Sequence, residues 1–201
     1  GQTAPDTLVV NLGGICNMTF MPSGGPQSIW ANDVAPCNII IDGAVRRLFP
    51  DCNYDRDGQI AVRGKSNAFA YDYLTHHFGP PNVSSLSSRS LGREDFDDQW
   101  IENLVANSPS GLTSSDIIAS TVDAVGTYLA NIIGQLTPRL TVLAGGGARH
   151  PGLVDSLRQT LRKQPRADSS PPRIVLSDAL GIPCEAREAM GFAVLGALSQ
   201  D

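Results

Sequence analysis

No long apolar run, no basic patch and no paired-cysteine motif occur in this chain of 201 residues. Each absence removes a class of function. Without a run approaching the length of a bilayer crossing, and without a charged-then-apolar leader at the start, membrane partners are not expected. Lysine and arginine never cluster beyond a few residues and the formal net charge is −5, so a nucleic-acid partner finds no electrostatic footprint. Cys16, Cys37, Cys52 and Cys184 are scattered, with no CxxC pair. A metal or dithiol motif is therefore not expected, and free thiols suit a reducing cytoplasm. The phosphate loop GxxxxGK[ST] and the nucleophile elbow GxSxG are both missing.

What is present is the composition of an ordinary globular protein, 41% hydrophobic and 17% charged, long enough for one large domain with a sizeable core. The chain is organised around LTVLAGGGARHP at residues 140–151. Its apolar start reads as a buried strand. Gly145, Gly146 and Gly147 let the backbone turn sharply and lie close to a ligand, and the apolar spacing from Pro151 to Leu161 predicts a helix. A helix N-terminus there would suit an anion or a nucleotide. Close packing of strand on helix explains the glycines equally well.

Upstream, residues 8–12 and 15–21 read as antiparallel strands about a Gly13-Gly14 turn, and 28–33 as a third strand. Residues 38–49 carry helical spacing, with Pro36 expected in the first turn. From about 50 to 110 the texture is that of an inserted surface subregion, with a helix at 68–77 and a turn at 54–58. Thr113 or Ser114 caps a helix running to Leu136. After residue 151 come a strand at 173–176 and a closing helix at 185–198. This order predicts an α/β fold: a mixed five-stranded sheet with helices on both faces, as one subdomain over 1–201. It is the pattern of the ribonuclease-H-like half domain used twice in actin-like ATPases and sugar kinases. A strand beginning as early as Leu8 suggests a fragment or a separately expressed half.

Six segments in one order sharpen this: VNLGGICNMTF, DVAPCNIIIDGAVRRLF, YDRDG, LGRE, AGGGARHP and GIPCEAREAMGFAVLGA. Together they resemble the C-terminal half of the anhydro-N-acetylmuramic acid kinase family, which includes levoglucosan kinases. The resemblance implies an enzyme in which ATP phosphorylates an anhydrosugar while water opens the internal bridge, with ATP and Mg²⁺ as cofactors. It implies that Asn11, Gly13, Gly14 and Asn17 approach the ATP phosphates, and that Gly145, Gly146, Gly147 and Ala148 form the adenosine-side loop. Asp33 and Asn38 would mark the substrate-side loop, and Glu188 would serve catalysis and the metal. Here that loop reads Asp33-Val34-Ala35-Pro36-Cys37-Asn38 where the family has DTGPGN, so a threonine and both glycines are gone, and Ala35 and Cys37 add a Cβ at the glycine positions. The family's GTSxDGxD turn and catalytic aspartate belong to the N-terminal half, so the general base is not expected in this chain.

Other polar residues attract simpler expectations. Glu185 should be solvated, and Arg93 with Glu94 should form a structural ion pair. Asp55, Asp57 and Gly58 resemble half of a calcium loop but lack its bidentate glutamate, so calcium is not expected. His76 and His77 point in different directions on a helix and make a poor metal pair. His150 reads as an exposed cap. Two functions stay open: the nucleotide-side half of an anhydrosugar kinase, inactive alone and with a homodimer as one expected assembly, or a non-catalytic remnant or interaction module of the same fold.

Overall fold

Alternation of apolar and polar residues builds the first hairpin. Strand β1 (Thr7–Leu12) and strand β2 (Ile15–Met21) pair antiparallel around Gly13-Gly14, with Leu8, Val10, Leu12, Cys16 and Met18 fully buried. The structure, a computed structural model, describes residues 5–25, 28–83, 99–165 and 173–186. Strand β3 (Trp30–Pro36) pairs with β2, β4 (Leu140–Ala144) lies parallel to β1, and β5 (Arg173–Leu176) lies parallel to β4. The sheet order is β3-β2-β1-β4-β5. These directions put the carboxyl ends of β1, β3, β4 and β5 on one edge. One row across that edge reads Ala144, Asn11, Asn17, Asp33. Ligands of open α/β sheets bind outside such an edge.

The third strand is longer at its end than the sequence suggested. Val34 and Ala35 are buried and Pro36 pairs opposite Ile15, so Pro36 ends β3 instead of entering the next helix. An edge strand tolerates proline because one side of it needs no ladder donor. Helix α1 (Asn38–Leu48) begins immediately after, without a side-chain cap. The Gly13-Gly14 turn does that work: the N–H groups of Cys37 and Ile39 donate to the Gly14 carbonyl at 2.9 and 3.0 Å, and that of Asn38 to Gly13 at 3.0 Å. The first donors of α1 are thereby consumed by the protein itself.

Helix α2 (Ala68–Phe78) follows, capped by Asn67. Helix α3 (Gln99–Asn107) lies in the inserted subregion, expected to be a small helical insertion but with no helix placed at these residues; Trp100, Ile101 and Leu104 at helical spacing bury one face of it, and Arg47 of α1 pairs with its Glu102. Helix α4 (Ser114–Leu136) starts at a reciprocal capping box between Thr113 and Asp116. By length and composition alone α4 could cross a membrane, contrary to the reading that no run approached that length; two-thirds of its apolar window is buried inside the protein. Helix α5 (Pro151–Lys163) packs along it, and Leu153, Leu157 and Leu161 join Ile118, Val125 and Leu129 in one core with Leu8, Val10 and Ile41. The expected closing helix at 185–198, and Arg93 and Glu94, lie outside the described residues.

Candidate functional site

The two glycine turns meet at the carboxyl edge of the sheet. Asn38, the first residue of α1, lies between them: its Nδ2 donates to the Leu12 carbonyl at 3.1 Å. A Cβ placed on Gly147 would stand 2.8 Å from Asn38 Oδ1 and 2.9 Å from the Leu12 carbonyl oxygen. One on Gly145 would stand 2.5 Å from Asn11 Oδ1, and Gly145 also has φ +84°, which side chains resist. Backbone of β4's turn thus lies directly against backbone of β1. Gly14 is different. Its φ is ordinary and a Cβ there would meet nothing within 4 Å.

The glycine run does not lead straight into α5. A single 3-10 turn (Gly146–Arg149) intervenes, and the α5 N-terminus is closed by His150, whose Nδ1 accepts from the Leu153 N–H at 3.2 Å. The expected anion site at that helix start is therefore filled by an imidazole. The glycine turn is also tied from behind: Gly145 N–H donates to the Cys184 carbonyl at 2.9 Å. The Cys184 thiol donates to Asp178 at 2.6 Å, and Arg149 reaches the same carboxylate at 2.7 Å. These two donors, the thiol first, hold the Asp178 carboxyl below its ordinary value.

Between α1, the Tyr54–Gly58 turn and this loop lies a cleft of about 420 Å³. Asn38, Asp42, Asp57, Gly146, Gly147 and Arg149 face it. Its floor is fixed by a pair that sequence reasoning missed, because 95 residues separate the partners. Asp55 is buried and accepts from the N–H groups of Ile60 and Ala61 at 2.7 and 2.9 Å, and from His150 Nε2 at 3.2 Å. With Nδ1 accepting from Leu153, Nε2 must carry the proton, so the imidazole is assigned as neutral from its bonds. Burial pushes the Asp55 carboxyl up, but these three donors outweigh it and hold it below the usual carboxylate range. His150 is thus a cap, as expected, but a buried one, 8% exposed. Asp55 has its oxygens occupied by protein donors. Glu185 stays largely in solvent, 3.8 Å from Arg149.

Of the residues singled out from sequence, Asn11, Gly13, Gly14, Asn38, Gly145, Gly146 and Gly147 converge on this edge. Ala148 is buried behind the turn. Asn17 and Asp33, paired across β2 and β3, face a separate shallow hollow of about 370 Å³ at the same edge. Ala35 and Cys37, the departures in the substrate-side loop, turn fully into the core, so their Cβ atoms take no room from the cleft. Glu188 lies outside the described residues.

A family model for anhydro-N-acetylmuramic acid kinase matches residues 2–200. The chain belongs to this family. Among its curated relatives, an anhydro-N-acetylmuramic acid kinase of Burkholderia orbicola (strain MC0-3) is 33% identical over 198 residues, covering 97% of this chain and 49% of that protein. One from Bacillus thuringiensis subsp. konkukian (strain 97-27) is 30% identical, covering 94% and 48%. The chain thus spans about half the length of the curated relatives it matches. Among solved structures, component A of the Acidaminococcus fermentans (R)-2-hydroxyglutaryl-CoA dehydratase superposes with a TM-score of 0.53 at 15% identity, over 85% of this chain and 54% of that one. The activator of the 2-hydroxyisocaproyl-CoA dehydratase from Clostridium difficile, solved with bound ADPNP, gives 0.52 at 14%, over 90% and 56%. At such identities the likeness is one of fold, and that fold is the actin-like half domain anticipated from element order.

Proposed function

We propose that this chain is the nucleotide-side half of an anhydrosugar kinase, acting on a 1,6-anhydro sugar with ATP and Mg²⁺. Family membership supports a carbohydrate kinase, and Gly14 is the observation that carries the nucleotide reading. Neither backbone angle nor neighbouring atoms require a glycine there, yet it sits in the open beside a second glycine turn whose backbone faces a cleft. A side-chain-free position with room in front of it lets backbone come up to phosphate oxygens. The activator solved with bound ADPNP is a protein of the same fold, which agrees with a nucleotide ligand.

Phosphoryl transfer needs positioning and charge neutralisation more than covalent help. In this reading Gly13-Gly14 lies against the phosphates, Gly146-Gly147 and Arg149 face the nucleoside, and Glu188 serves the metal, which takes oxygen ligands. When bound, Mg²⁺ would offset charge between the phosphates. Asn17 joins the phosphate side, Asp33, across the β2–β3 pairing, faces the sugar, and the rest of the active site comes from the remainder of the kinase. Free thiols at all four cysteines suit a cytoplasmic enzyme. The altered Asp33–Asn38 loop favours a remnant without chemistry only if it narrows the cleft, and its two new side chains are buried.

The test pairs this chain with a matching N-terminal half and assays ATP-dependent sugar phosphorylation. Activity is expected from the mixture and not from either piece. A well-folded mixture that binds ATP and phosphorylates no anhydrosugar would favour the remnant.

A further inference from the structure

Asp42 is a half-buried carboxylate in the cleft to which no described residue donates a hydrogen bond. It stands on α1 four residues after Asn38, so both side chains project from one face of the helix. Asn38 touches the glycine turns, and Asp42 lies one helical turn, about 6 Å, farther from the sheet edge. Both line the same cleft as Gly146 and Gly147. Yet Asp42 is half-buried and accepts no hydrogen bond from a described residue; Arg46 attracts it and Asp55 repels it only through space. Burial consequently pushes its carboxyl above the ordinary carboxylate value. A half-buried carboxylate costs stability unless a donor reaches it. Nothing in the packing of α1 calls for an acid at this position.

We propose that Asp42 accepts a hydrogen bond from the nucleoside part of the bound nucleotide, a ribose hydroxyl or the exocyclic amine of adenine, and so sets nucleotide selectivity. The inference rests on the nucleotide reading above. If phosphates lie at Gly13-Gly14, a residue one helical turn along the cleft wall stands where a nucleoside's donors fall. Two other parts of the cleft are engaged: Asp55 is filled by protein donors, and Arg149 is held by Asp178. A site built to bond a hydroxyl or an amine rejects an analogue that lacks it, because the buried acceptor is then left unpaired.

Equilibrium titration of the intact protein tests this without turnover, using ATP, 2′-deoxyATP, 3′-deoxyATP and inosine triphosphate in the absence of sugar. The wild type should prefer ATP roughly tenfold or more over the analogue missing the donor, the range of one bond to a charged acceptor. Asp42→Ala should bind ATP about tenfold more weakly and discriminate no more than about twofold. Loss confined to the deoxy analogues assigns the ribose; loss confined to inosine triphosphate assigns the amine. The melting temperature of Asp42→Ala should stay level or rise, since a half-buried unbonded charge is removed, and Asp42→Asn should fall between the two proteins in affinity. Unchanged affinity and unchanged selectivity in Asp42→Ala overturn the proposal. A wild type that binds no nucleotide at all sinks the nucleotide reading itself, and the proposal with it.

Discussion

Gly145 and Gly147 lie against β1 and Asn38, where a Cβ would collide with the Leu12 carbonyl at 2.9 Å, whereas the nearby Gly14 looks out onto space. The first pair are glycines for the sake of the fold: strand β4 can hand its chain to the 3-10 turn only by lying directly on β1. The second has no such reason. The same motif type therefore carries two kinds of constraint, and only the one the packing leaves unexplained speaks for a ligand.

Substitutions can pull the two apart. The largest effect should come from Gly145→Ala and Gly147→Ala. Forcing a methyl onto the Leu12 backbone, with positive φ added at Gly145, should cost about 3 kcal/mol or more. Thermal unfolding should show this as a fall in melting temperature of roughly 6–12 °C, and a variant melting like the wild type would break the distinction between the turns.

His150→Ala comes next. It removes the α5 cap and one of the donors on buried Asp55, and should cost about 2 kcal/mol. It should also change the acid limb. Asp55 has a folded-state value below its ordinary 3.8, so its contribution is complete above the unfolded value and is lost as pH falls through the folded one. Removing the imidazole raises the folded value and should start acid unfolding at a higher pH, read by circular dichroism along a pH series.

The smallest effect carries the opposite sign. Thr141, on β4 just ahead of the glycine turn, buries a hydroxyl with no partner among the described residues. Thr141→Val should stabilise by about 1 kcal/mol and leave nucleotide affinity unchanged. An altered affinity would mean that strand stability and ligand approach are not separable at this edge.

Much of this layout was legible in advance. Alternation located β2, short apolar runs located β1, β4 and β5, and helical spacing located α1, α4 and α5; β4 is buried on four consecutive residues, so a run marks it where a period marks β2. The end of β3 was not, since Pro36 reads as a helix start unless an edge strand is known to lie beside it. Helix α3 hid in a polar region, although Trp100, Ile101 and Leu104 held its signal. The convergence of the glycine turns was readable from family resemblance. The Asp55–His150 pair was not, because nothing local couples a turn to a helix start so far along the chain. Sequence also could not tell Gly14 from Gly145: that takes the atoms around them.

The most direct measurement is a calorimetric titration of ATP and magnesium into the protein and into Gly14→Ala. With a phosphate at this turn, the wild type binds saturably, and the variant melts at the same temperature but binds about tenfold more weakly or worse. A Gly14→Ala protein that melts normally and binds ATP as tightly as the wild type would contradict the account.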